Sequence, residues 1–104
     1  MNYTFHWKKA KADRYLTLSQ RNWLIKRMDP CKYRYSHVDL IEAFFWEFWP
    51  RKAKRVIVSM AVEGKDANDP SLFVQKANQL YPRYVRVVGQ ATRKMAGKTM
   101  EIGR

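Results

Sequence analysis

Two short runs of this chain interleave cations with aromatic rings: Lys32-Tyr33-Arg34-Tyr35 and Arg83-Tyr84-Val85-Arg86. That mixture suits single-stranded nucleic acid. Cations track the phosphates, and each base stacked on a ring contributes about 1–3 kcal/mol. Arginine adds bidentate phosphate contacts that lysine cannot make. The same rings can instead close the rim of a core while the cations flank them, and for Tyr84 the two uses stand level. Further cations gather at Lys8, Lys9, Lys11 and Arg14, at Arg51, Lys52, Lys54 and Arg55, and at Arg93 and Lys94. None of these stretches matches the RNA-recognition motif, the GXXG clamp or a helix-turn-helix signature.

Catalytic chemistry has less to build on. His6 and His37 are far apart, no Cys/His group has metal-ligand spacing, and Gly64, Gly89, Gly97 and Gly103 form no phosphate loop. Asp39, Glu42 and Glu47 form the one acidic group in the chain that invites a metal or acid/base reading. On a helix, Asp39 and Glu47 stand about 80° apart and two turns along the axis, so they do not converge. The expectation is a non-enzymatic protein with no metal, cofactor or small-molecule substrate.

The charge balance points the same way. Twenty-one Lys and Arg against nine Asp and Glu leave +12, a surplus that serves polyanions: nucleic acid, an acidic membrane face or an acidic protein. It is patterned: residues 1–37 carry +7, 50–55 carry +4 and 83–104 carry +5, whereas 38–49 carry −3. A chain of 104 residues that is 46% hydrophobic can bury one modest core, so a single domain is expected over 1–104. One cysteine, Cys31, excludes an internal disulfide and fits a reducing, intracellular compartment. MNYTFHWKK has no apolar run of the kind a secretory signal needs, and no window approaches the length of a membrane span.

The elements that must position these residues are organised around Ser36–Pro50, SHVDLIEAFFWEFWP. Ser36 and Asp39 have capping-box spacing, and Pro50 cannot continue the helix. At 100° per residue Val38, Leu40, Ile41, Phe44, Phe45, Phe48 and Trp49 fill one half of the cylinder, which predicts a core face. Trp46 falls on the opposite, acidic half, either as a second core contact or as a contact for a partner. Thr17 and Gln20 predict a second helix to about Met28, with Leu18, Leu24, Ile25 and Met28 inward. Asp69-Pro70 predicts a third that turns Leu72, Phe73, Ala77, Leu80 and Tyr81 inward and stops before Pro82.

Strands are expected where apolar residues alternate or run together. Tyr3, Phe5 and Trp7 suggest a first strand, CKYRYS a short edge, VIVSMAV (56–62) a buried central strand, and Tyr84–Gly89 another. Gly97 and Thr99–Ile102 suggest a closing hairpin. Residues 69–89, DPSLFVQKANQLYPRYVRVVG, locally resemble the helix-to-strand segment of rubisco small subunits and related carboxysome linker modules, in which Tyr-Pro precedes a YVRVVG-like strand. The resemblance spans about a fifth of the chain and implies a strand from Tyr84, with no function carried across.

The fold expected from these elements is α+β, a small two-layer sandwich with helices on one face of a mostly antiparallel sheet. The function expected is nucleic-acid binding, RNA favoured over DNA, within a ribonucleoprotein or ribosome-like assembly. The alternative is a basic interaction module, such as an accessory subunit or a small phage-type protein, docking on an acidic protein surface, with Trp46 as the partner contact.

Overall fold

The structure, a computed structural model, describes residues 16–28 and 36–102, with side chains through residue 93. Every regular element among them is helical: α1 (Leu18–Arg27), α2 (His37–Phe48), α3 (Pro50–Val62), α4 (Pro70–Leu80) and α5 (Pro82–Ile102). This corrects the expected α+β sandwich, because the described residues contain no strand and no sheet. The expected strands at 3–7 and 31–35 lie outside the described residues.

Three helix starts follow the capping signals. Thr17 accepts from the Gln20 amide at 3.1 Å while the Gln20 side chain takes the Thr17 amide at 2.9 Å. Ser36 and Asp39 repeat that exchange at 3.2 Å in each direction. Asp69 accepts from the amide of Ser71 at 2.9 Å, ahead of Pro70 at the first helical position. Caps of this kind are worth about 0.5–2 kcal/mol each.

The segments misread as strands belong to two helices that begin at proline corners. Trp49 ends α2 by donating its amide to Phe45 at 2.7 Å, then takes φ −133° and ψ 59°. Its carbonyl accepts the amide of Ala53 at 2.9 Å, so the same residue opens α3. Tyr81 does likewise between α4 and α5, bonding Ala77 at 2.7 Å and adopting φ −136°, ψ 63°. Steric clash with the following proline ring drives the preceding residue out of the helical region, but proline itself suits the first helical position, where no N–H is needed. Pro50 and Pro82 therefore stop one helix and start the next.

VIVSMAV is accordingly the C-terminal half of α3, a helix in which Ala53, Val56 and Met60 are buried at helical spacing and Val58 and Val62 are turned out. Its end is fixed by Gly64 at φ +72°, with amides of Gly64 and Lys65 bonding Ala61 and Met60 at 3.0 and 2.9 Å. That pairing is a Schellman stop, which needs a residue at home in the left-handed region. Tyr84–Gly89 belongs to α5, and the backbone stays helical through 97–102, where a hairpin was expected. The resemblance of residues 69–89 to a helix-to-strand segment thus ends at Pro82.

Among the described residues, α2 packs against each of the other four helices, and α4 against α2, α3 and α5. Phe44, Phe45, Phe73, Leu24, Met60, Val56 and Val88 are fully buried between them. Phe44 meets Trp23, Phe48 and Trp49 at centroid distances of 5.7, 4.7 and 5.0 Å. Of the residues expected inside, Leu18, Ile25 and Leu80 are instead exposed.

Candidate nucleic-acid interface

The two proline corners lie side by side. The Trp49 ring stands edge-on to Tyr84 with centroids 4.8 Å apart, and Tyr81 stands edge-on to Tyr84 at 6.1 Å. From the first turn of α3, Lys52 reaches over the Tyr84 ring at 4.6 Å and the Tyr81 ring at 5.7 Å. Tyr84 is half-buried beneath this cation, so its ring serves the rim of the core at the junction. Of the two cationic clusters at 51–55 and 83–86, the structure brings together Lys52 and Tyr84.

Beyond the junction, α5 carries an outward stripe. Arg83, Arg86, Gln90 and Arg93 are all exposed and recur at spacings of three, four and three residues, within one side of the helix. At 1.5 Å rise per residue the stripe runs about 15 Å from Arg83 to Arg93, with steps of about 4.5–6 Å. Neither α3 nor α5 has an acidic residue in its first turn. Cations there oppose the helix dipole, each by about 0.3–1 kcal/mol, and an anion brought to the same place would be favoured by both dipole and side chains. Among the described residues, Arg51, Lys52, Lys54, Arg55, Arg86 and Arg93 have no carboxylate within ion-pair distance.

A polar contact ties α2 to α5. Thr92 donates to the Gly89 carbonyl at 2.9 Å, and its hydroxyl oxygen lies at hydrogen-bond distance, 3.1 Å, from His37 Nδ1. Burial, and then the nearby Arg93 guanidinium, hold the imidazole below its ordinary pKa. On α2, burial and then the neighbouring Asp39 raise the Glu42 carboxyl. Trp46, beside it, is 40% exposed. On α4, the ammonium of buried Lys76 pairs with Glu63 and donates to Gln79 at 2.8 Å. Nothing in the sequence reading singled out Lys76; its position one residue before Ala77, on the inner side of α4, was the available signal.

Lys8, Lys9, Lys11, Arg14, Lys32, Tyr33, Arg34 and Tyr35 lie outside the described residues, as does the Lys94 side chain. Among the described residues no three His, Cys, Asp or Glu side chains gather as a metal site would require. No helix among them is long and apolar enough to cross a membrane. Comparison with known proteins supplies no relative: no protein-family model, curated protein or solved structure matches the chain.

Proposed function

We propose that the chain is a non-enzymatic nucleic-acid-binding protein that holds a sugar-phosphate backbone along the outer face of α5. The observation that carries this reading is the stripe of Arg83, Arg86 and Arg93 on one side of a helix in a chain of net charge +12. Arg83 and Arg86 stand about 4.5 Å apart along the axis, close enough for neighbouring phosphates of one strand, and Arg93, about 10.5 Å further on, meets a phosphate beyond them. Tyr84 is engaged at the helix junction, so the grip rests on phosphates and binds RNA and DNA without sequence preference. The setting is intracellular, where polynucleotide is available and Cys31 stays reduced.

Titrating labelled duplexes and single strands against salt tests the reading. Log affinity should fall linearly with log salt, by about 0.9 per phosphate contact for duplex and 0.7 for single strands. Replacing Arg83, Arg86 and Arg93 together with Ala should weaken every sequence alike and flatten the duplex slope by about 2.7. Filling the gap in the stripe with Gln90→Arg should steepen it by about 0.9. An affinity indifferent to salt, or a slope unchanged in the triple variant, would refute the assignment and favour an acidic protein surface as the partner.

A further inference from the structure

The outer faces of α2 and α3 leave large apolar side chains uncovered: Trp46 is 40% exposed, Val58 62% and Val62 82%. Each belongs to a stripe of charged residues. On α2 the stripe is Asp39, Glu42, Trp46, at steps of three and four; on α3 it is Arg51, Arg55, Val58, Val62, at steps of four, three and four. Measured along the axes, Glu42 and Trp46 lie about 4.5 and 10.5 Å beyond Asp39, while Arg55 and Val58 lie about 6 and 10.5 Å beyond Arg51. Laid parallel, the two stripes set Asp39 against Arg51, Glu42 against Arg55, and Trp46 on Val58, with Val62 at the margin.

Within one chain this contact cannot form, because α2 and α3 already pack through their inner faces and turn at Trp49. Among the described residues the charges on both stripes also lack mates. Among the described residues, Asp39, Glu42 and Glu47 have no cation within ion-pair distance, in a chain with twelve cations to spare. Glu42 is already partly desolvated and repelled by Asp39, and the positive charge of a guanidinium laid over it would offset both effects.

We propose that a second copy of this chain docks here, with α2 of one protomer on α3 of the other. Two identical chains close into a dimer where a twofold axis lets both copies of such a contact form at once. Net charge of +12 opposes unspecific self-association, so the contact depends on opposite charges meeting in register. The α5 stripe takes no part, and the two proposals stand independently.

Sedimentation velocity over a concentration series tests this, using full chain freed of nucleic acid by nuclease and a high-salt wash. Wild type should show a concentration-dependent dimer. Glu42→Arg and Arg55→Glu should each weaken it by about tenfold or more, while the double variant, which restores opposite charges across each contact, should recover most of the loss. Thermal melts of the three variants establish that each is folded. The variant lacking Arg83, Arg86 and Arg93 should dimerise like wild type even as it loses nucleic acid. A chain that stays monomeric overturns the proposal and leaves the two stripes to separate partners. A dimer untouched by either single reversal, or a double variant no better than the singles, overturns it as well.

Discussion

Phe44→Ala puts the assignment of the inner face of α2 to its hardest test. Phe44 has no exposed surface, and its ring meets Trp23 at 5.7 Å, Phe48 at 4.7 Å and Trp49 at 5.0 Å. Withdrawing a fully buried phenyl ring from water contributes about 1.5–3 kcal/mol. Each well-placed aromatic pair adds about 0.5–1.5 kcal/mol, though three contacts on one ring do not sum. The cavity left behind cannot fully collapse, because Trp49 is held by the corner at Pro50 and Trp23 by its packing on Phe48 at 5.7 Å. The expected loss is about 3–5 kcal/mol, a large share of the 5–15 kcal/mol typical of a whole domain.

Urea unfolding followed by circular dichroism at 222 nm measures it. With a denaturant slope of about 1–3 kcal/mol/M, a loss near 4 kcal/mol moves the midpoint by about 1–4 M. Trp46→Ala, from the outer face of the same helix, should cost about 1 kcal/mol, because 40% of that side chain is already in water. Phe48→Ala should fall between, since Phe48 is only partly buried. Equal losses for Phe44 and Trp46, or a Phe44 variant within about 1 kcal/mol of wild type, would refute the packing argument.

Two further predictions concern ionisation. His37 has its folded-state pKa depressed, so just below the ordinary value of about 6.5 the unfolded chain binds more protons than the folded one. Stability should therefore be full above that value, decline as pH falls toward the folded pKa, and level off below it. Melting temperatures across this range should show the decline in wild type and lose it in His37→Gln. Lys76 and Glu63 should respond unequally: Glu63→Ala leaves a buried ammonium with Gln79 alone, whereas Lys76→Met removes the charge along with its need for a partner. Glu63→Ala should thus lower the melting temperature more than Lys76→Met, and the reverse order would count against the pair. Glu63 has its pKa lowered chiefly by the hydrogen bond from Lys76, so that contribution should fade as pH drops below about 4.5 through the folded value.

Legibility in the sequence followed the local signals. Caps at Thr17, Ser36 and Asp69 were readable because each rests on one side chain and an amide three residues away or fewer. The half-cylinder of α2 was readable because its 12 residues cover a little over three turns, enough for the 3.6 period to show. VIVSMAV was not, because seven almost wholly apolar residues carry no visible period, and β-branched content then argues for a strand. The helical phase appears only when the window reaches back to Pro50 and includes Ala53. β-branched residues cost a helix only tenths of a kcal/mol each, which burying Ala53, Val56 and Met60 against α2 and α4 outweighs. Reading Pro50 and Pro82 as stops was sound; what escaped was that each also opens a helix.

The same correction decides what the cations can do. In a strand, Arg83 and Arg86 are three residues apart and point to opposite faces, so no ligand lying on one face meets both. In a helix, three residues bring them to the same side, and Arg93 returns there after nearly three turns. Tyr84, one residue on from Arg83, is turned about 100° away, and in the structure its ring meets Trp49 and Lys52. The charges at 83–93 were visible from the first, but their alignment into one surface follows from Pro82 starting a helix. α3 repeats the logic: Arg51, Arg55, Val58 and Val62 share an outer face only in a helix that begins at Pro50. Each proline corner thus sets the phase of the surface that follows it. Shifting that phase should disperse the cations without changing their number, so composition alone cannot stand in for the fold in deciding which surface the cations form.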